Sequence, residues 1–226
     1  MSGFFSTISR LRWIQRWSLK RNTLKENVME HSWEVGVIAH LLGCINNKLF
    51  NGTVNPDRLS TLALYHDCAE AITGDLPTPI KYYSSDIEKA YRAIEKDAES
   101  SLVSMLPQEL QESLRPFVCG GSGVSEIERK LLKAADNLSA YIKAKAELAN
   151  GNAEYIKTVN DLEHDIKNHE MPEVGYFISM FIQKPESVDL SKEDYSIGYD
   201  NLDVAELGLE SNGVHYRDII RKLRTA

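Results

Sequence analysis

The apolar residues of this chain recur at three- and four-residue intervals in segment after segment, and no run alternates with a period of two. Val35, Ile38, Leu41, Leu42 and Ile45 form one such stripe; Leu59, Leu62 and Ala63 form a second. Ile127, Leu131, Leu132, Ala135, Leu138, Ala140 and Ile142 form a third. A helix gathers residues at this spacing onto one face, whereas a half-buried strand needs strict alternation. The expected fold is therefore all-α, a helical bundle. At 226 residues the chain can bury a sizeable core within one domain plus an appendage. Hydrophobic residues make up 42% and charged residues 26%, both ordinary for a globular protein. No apolar run reaches the length of a membrane span, so no membrane association is expected.

Punctuation divides the helices. Residues 4–20 read as a short amphipathic helix made positive by Arg10, Arg12, Arg16 and Lys20. Residues 28–49 form a second, closed by Asn51-Gly52. Asn55-Pro56 is a helix start, with a capping side chain followed by a residue whose missing N–H costs nothing. That third helix runs to about Ile72, where the Gly74-Asp75-Leu76-Pro77-Thr78-Pro79 loop breaks it. Helices follow at 85–105, 107–118, 125–149, 153–168 (capped by Asn152) and 172–182, with Gly120-Gly121-Ser122-Gly123 as a link. From Gln183 acids alternate with Tyr195, Tyr199 and Leu202, and a basic helix (Val214 to Arg224) ends the chain. Residues 1–182 are thus expected to form the domain and 183–226 an extension.

A net charge of −7 argues against a surface built for nucleic acid. Cys44, Cys68 and Cys119 are odd in number and far apart, forming neither a Cys-x-x-Cys pattern nor a disulfide framework. A reducing, cytoplasmic setting suits them. The Arg- and Ser-rich N-terminus, without an acid before Glu26, has the composition of a transit peptide.

The chemistry concentrates in Tyr65-His66-Asp67-Cys68-Ala69-Glu70. On a helix Glu70 shares a side with His66, four residues back. A lone His-Asp pair is a cheap match and gains weight only from its surroundings. His31 lies in the first turn of the second helix. Asp136, flanked by Ala134, Ala135 and Leu138, would be a costly buried acid unless paired or ligated. Two imidazoles and two carboxylates without thiolate suit Mn, Co, Fe, Mg or Zn and single out none. His40, on a mostly apolar face, reads as a core histidine, and His164, His169 and His215 as surface residues.

Together these residues resemble the HD-domain metal-dependent phosphohydrolases, whose signature is a first His, an adjacent His-Asp and a distant Asp. The flanking sequence is similar to one group, the bacterial 5′-deoxynucleotidases of YfbR type. The matching stretches are Ser9-Arg10-Leu11 through Arg16-Trp17, Glu26-Asn27-Val28 with Glu30-His31-Ser32, Tyr65-His66-Asp67 with Glu70, Thr73 to Pro79, and Lys133-Ala134-Ala135-Asp136. The resemblance spans roughly residues 4–182. It implies that His31, His66, Asp67 and Asp136 bind one divalent metal ion (Co, Mn, or another of Fe, Zn, Mg and Cu). It implies that Glu70 and Asp67 are catalytic, with Arg16 orienting the phosphate. Trp17, Asp75, Leu76, Pro77 and Thr78 are implied substrate contacts, with His31, Asp67, Glu70 and Asp136 bordering the same substrate. A soluble homodimer is also implied. Cleavage of a transit peptide would remove Arg16 and Trp17, which sets that reading aside.

Two absences narrow the class. No histidine lies between His66 and His164, where many two-metal relatives carry more, so one metal is expected. Glu70 is followed by Ala71, not by the acid typical of alarmone hydrolases. The expected activity is metal-dependent hydrolysis of deoxyribonucleoside 5′-monophosphates. A deoxynucleoside triphosphate hydrolase, using Arg10, Arg12, Lys20 and Lys81, is the alternative. A non-enzymatic nucleotide- or nucleic-acid-binding adaptor, using the Arg217, Arg221, Lys222 and Arg224 cluster, is a weaker one.

Overall fold

The computed structural model describes residues 3–120, 123–167 and 171–182. The expected extension 183–226, with its basic helix, lies outside the described residues, as do His169 and His215. The described residues form helices and no strand, in accord with the all-α expectation. Among the described residues the single pairing of extended backbone is an antiparallel bridge between Gln15 and Asn27. Among the described residues no helix is long and apolar enough to cross a membrane.

The central element is α2 (Val28–Leu49), which packs on α3 (Pro56–Tyr65) and α8 (Glu126–Ala149). Its stripe of Val35, Ile38, Leu42 and Ile45 meets Leu59 and Ala63 of α3 and Leu131, Leu138 and Tyr141 of α8 in the main core. Burying each such leucine stabilises the fold by roughly 1.5–3 kcal/mol. Two glycines allow the α2–α3 approach. A Cβ on Gly36 would lie 3.2 Å from Leu64 Cδ2, and one on Gly43 would lie 3.0 Å from Leu59 and 3.1 Å from Pro56. Asn27 with Glu30 and Ser125 with Glu128 form capping boxes that start α2 and α8. Asn55 accepts the Arg58 N–H ahead of α3, with Pro56 following as expected. Each cap contributes about 1 kcal/mol, and two of them set where His31 and Asp136 fall along their helices.

α1 (Phe4–Ile8), α6 (Ser85–Ser104) and α7 (Gln108–Val118) pack a second core of Phe4, Cys68, Leu102, Val103, Leu106 and Val118. α4 (Glu70–Thr73) and α5 (Thr78–Lys81) are single turns. α9 (Ile156–Lys167) and α10 (Pro172–Phe177) close the main core, and α10 runs into a wider π-type turn at Ile178–Ile182.

Several expectations need correction. The first helix does not reach residue 20. It tightens into a 3-10 turn at Ser9–Trp13, and Ile14 turns extended so that its carbonyl takes the Val28 N–H. The third helix does not continue to Ile72 but breaks over residues 66–69. There the ring Nδ1 of His66 lies 2.6 Å from the Ala63 carbonyl, which continuation of the helix would assign to a backbone N–H. The chain advances instead by three-residue bonds, Cys68 to Tyr65 and Glu70 to Asp67. Asn152 does not cap the helix that follows it. It is buried, and its amide donates to the Arg21 carbonyl and to Glu147. Ile127 is exposed rather than core. His40 is half-exposed beside Asp57, because it sits at the rim of the α2–α3 seam.

Candidate active site

Three elements bring the expected ligands together. His31, fully buried, comes from the first turn of α2; His66 and Asp67 come from the break after α3; Asp136 comes from the middle of α8. Ligand atoms of His31, His66 and Asp67 lie within 4.8 Å of one another. His66 Nε2 stands 3.1 Å from Asp67 Oδ2, and His31 Nε2 stands 3.6 Å from the same oxygen. Asp136 approaches through one oxygen, Oδ1, 3.3 Å from His31 Nε2. Its other oxygen holds Lys133 Nζ at 2.9 Å.

The hydrogen bonds on the far sides of the rings fix their tautomers. The Ala63 carbonyl can only accept, so His66 carries its proton on Nδ1. Ser139 donates its hydroxyl proton to Glu34 Oε2 at 2.6 Å, which makes His31 Nδ1 the donor to Ser139 Oγ at 3.0 Å. Each ring therefore turns Nε2 inward, His66 towards Asp67 at 3.1 Å and His31 towards Asp136 at 3.3 Å, and neither buried Nε2 makes a well-aligned hydrogen bond. Two buried imidazoles converging with an Asp67 oxygen, with Asp136 beside His31, fit a divalent cation of borderline hardness once His66 gives up its proton.

Electrostatically, His66 and the two carboxylates neutralise one another. Burial works to raise Asp67, but the His66 charge and its close approach hold it down at about 2. Burial likewise opposes Asp136, which the His31 contact and the Lys133 charge keep well below the carboxylate range. Burial lowers His66, yet Asp67 and Asp136 lift it to about 9. Glu70 goes the other way. Burial first, then the charges of Asp67 and Asp75, push it up to about 10 against the pull of Arg16 and Lys81, and its Oε2 is buried without a partner.

Beside Asp136 opens a cavity of about 660 Å³. Arg16, Trp17, Asp75, Pro77 and Thr78, which the resemblance named as substrate contacts, line it with Asp136; Leu76, His31, Asp67 and Glu70 are not part of its wall. Its other walls include Lys20 and, not expected there, Tyr82, Lys133, Asn137, Thr158 and Asp161. Arg16 and Trp17 sit in the loop ahead of α2, where Trp17 takes a left-handed backbone with φ 60°. Glu26, Glu34 and Ser139, which hold site residues from behind, were also missed. Glu34 lies three residues beyond His31 and Ser139 three beyond Asp136. That spacing places each on its ligand's side of the helix and could have flagged both.

A family model described as 5′-deoxynucleotidase YfbR-like matches residues 3–185. The chain belongs to the YfbR-like 5′-deoxynucleotidase family. Among its relatives, a 5′-deoxynucleotidase of Vibrio vulnificus is 44% identical over 195 residues, 86% of this chain and 98% of the relative. The 5′-deoxynucleotidase YfbR of Escherichia coli is 46% identical over 181 residues, 80% of this chain and 90% of the relative. An HD-domain phosphohydrolase from Listeria innocua, solved by crystallography, superposes with a TM-score of 0.69 at 27% identity, covering 79% of this chain and 86% of that one. Both family and architecture accord with the expectation, and this YfbR-like chain is an HD-domain phosphohydrolase.

Proposed function

We propose that this protein hydrolyses deoxyribonucleoside 5′-monophosphates to deoxyribonucleoside and phosphate, with His31, His66, Asp67 and Asp136 holding one divalent cation. The observation that carries the reading is the cluster of inward Nε2 atoms with Asp67, joined through Asp136 to a nucleotide-sized cavity. A bound divalent cation would supply positive charge against the phosphate oxygens and acidify nearby water.

The chain's own groups divide the remaining work. Arg16 spends one N–H on Glu26 and keeps the rest of its planar fork for the phosphate. Glu70 presents a buried carboxyl with strong proton affinity, and Arg16 and Lys81 act to lower it. In this reading Glu70, once ionised, takes the proton shed as water adds to phosphorus and passes it to the departing 5′-oxygen. Asp75 offers an acceptor to the sugar 3′-hydroxyl, and Trp17 lays bulk beside C2′.

The triphosphate alternative asks more of the basic residues than they offer. Of Arg10, Arg12, Lys20 and Lys81, Lys20 alone lines this cavity, and Thr158 and the Glu154 carbonyl already engage it. Lys81 is held by Glu95. The basic cluster of the adaptor reading lies outside the described residues. A cytoplasmic homodimer belongs to the same proposal, supported by the family resemblance and by Cys44, Cys68 and Cys119 all being free. Light scattering of the purified protein tests the dimer.

The deciding experiment incubates chelator-stripped protein with a panel of deoxy- and ribonucleoside mono- and triphosphates, with and without Mn²⁺ or Co²⁺. Phosphorus NMR identifies the product. Inorganic phosphate from deoxymonophosphates, dependent on added metal, is expected. Release of pyrophosphate or triphosphate, or metal-independent turnover, would overturn the reading.

A further inference from the structure

Glu26 stands in one of the matching stretches but received no role there, yet it is where the two proposed substrate-facing residues of the first loop meet. One of its oxygens, Oε2, accepts from Arg16 Nη1 at 3.0 Å and from Trp17 Nε1 at 3.0 Å. The backbone repeats the grip, since the Glu26 carbonyl takes the Arg16 N–H at 3.0 Å. The side chains of Glu26 and Arg16 are only 12% and 15% exposed, so water competes weakly for these bonds. We propose that Glu26 is a positioning residue that yokes the phosphate-gripping guanidinium to the sugar-facing indole and so sets the preference for deoxyribose over ribose. The inference rests on Arg16 and Trp17 being the phosphate and sugar contacts of the function proposed above.

The local structure says why such a yoke is needed. Trp17 occupies the left-handed region, which costs a bulky residue about 1–3 kcal/mol and persists only where its surroundings over-determine it. Its backbone is pinned by Lys20 N–H and Asn22 Nδ2 on its carbonyl. Its ring leans on Tyr155 at 5.5 Å between centroids, tilted by 57°. These contacts hold the backbone and one side of the ring, but they leave the ring free to swing about its side-chain torsions. The indole N–H bond to Glu26 removes that freedom. Exclusion of a 2′-hydroxyl by bulk works only if the bulk stays in place, because a swinging indole admits the extra oxygen. Glu26 uses both lone pairs of a single oxygen for the two bonds. Any shift of the carboxylate therefore moves guanidinium and indole together, and the distance between phosphate grip and sugar wall stays constant. The guanidinium carbon, 5.7 Å from the centroid of the Trp17 ring, closes the triangle.

A purely structural ion pair would give a different pattern. It would lower the melting temperature when removed and leave the sugar ratio alone.

The test uses the metal-loaded full chain with deoxyadenosine and adenosine 5′-monophosphates as probes. Glu26→Ala should raise KM for the deoxynucleotide by roughly 10–100-fold, the worth of a charge-assisted hydrogen bond. It should cut the deoxy/ribo ratio of kcat/KM by about 10-fold. Trp17→Phe keeps an aromatic ring but loses the N–H, and should lower the ratio similarly; the double variant should add little to either. Glu26→Gln retains an oxygen able to accept both N–H groups, and should restore the ratio while recovering KM only in part. Independently of turnover, emission from Trp17 in a Trp13→Phe, Trp33→Phe background should shift to the red when Glu26 is replaced by Ala.

A folded Glu26→Ala protein with an unchanged ratio and unchanged emission overturns the proposal. Should that variant fail to fold, a Trp17→Phe protein with an unchanged ratio overturns it equally. Arg16→Ala and Trp17→Ala separate the two levels of the argument. If neither alters turnover or ratio, the underlying site reading fails; if both do while Glu26→Ala and Trp17→Phe do not, the yoke alone fails.

Discussion

Replacing Ser139 with alanine removes the hydroxyl that stands between His31 Nδ1 at 3.0 Å and Glu34 Oε2 at 2.6 Å. His31 and Ser139 are both 0% exposed, so no bulk water can take the vacated position. Glu34 is only partly buried and can recruit solvent, which leaves the imidazole with the larger cost. A buried N–H without an acceptor costs about 1–3 kcal/mol. The ring can avoid that cost only by moving its proton to Nε2, which removes the inward lone pair, or by rotating away. Each escape weakens the ligand by a similar amount, matching the 10–100-fold loss typical when a metal-bound histidine loses its outer partner. The expected Mn²⁺ affinity of Ser139→Ala is thus about 10–100-fold below that of the unmodified protein. Calorimetric titration of chelator-stripped protein measures it, with His31→Ala as the reference for losing the ligand itself and circular dichroism to confirm the helices. Glu34→Gln, which still offers the serine an oxygen, should stay within a few-fold. A Ser139→Ala affinity within about twofold of the unmodified protein, alongside loss of binding in His31→Ala, would refute this reasoning.

Other outcomes follow from the same geometry. Asp67→Ala and Asp136→Ala should each abolish metal retention after dialysis while leaving the far-ultraviolet spectrum helical, checked by elemental analysis of the dialysed protein. Glu70→Ala should keep metal and nucleotide affinity and lose on the order of 10²–10⁴ in kcat, measured by phosphate release. Glu147 is fully buried, and although burial alone would raise it, bonds from Asn152, Lys143 and Thr23 hold it well below its usual 4.5. A depressed carboxyl stabilises the fold above the unfolded value and loses that contribution as pH falls towards the folded one. The melting temperature should therefore drop as pH is lowered from about 4.5. Glu147→Gln should melt lower at neutral pH but decline less steeply with acid, by scanning calorimetry.

The ligands and their supports differ in how far the sequence could show them, and the difference is physical. The helix start at Asn55-Pro56 was legible because capping is local chemistry, whereas Asn152, read as a cap, is drawn instead into a tertiary network with Arg21 and Glu147. The break after Tyr65 was not legible. No proline or glycine marks it, and its cause is a ring nitrogen competing for the Ala63 carbonyl while Cys68, deep in the second core, sends its thiol to the Val118 carbonyl. The early stop of the first helix is likewise tertiary, set by pairing of Ile14 and Arg16 with Val28 and Glu26. The ligand set could be named because His-Asp and a remote Asp are rare in combination. Their supports are ordinary polar residues whose meaning appears only across helices: Ser139 meets Glu34 over 105 residues, and Glu147 meets Thr23 over 124. The second of these contacts ties α8 to the loop that carries Arg16 and Trp17, while Asp136 projects from the same helix. One rigid helix thus indexes both the proposed metal end and the proposed nucleotide end of the cavity. The spacing between them is set by the buried Glu147 network as much as by any residue that lines the cavity.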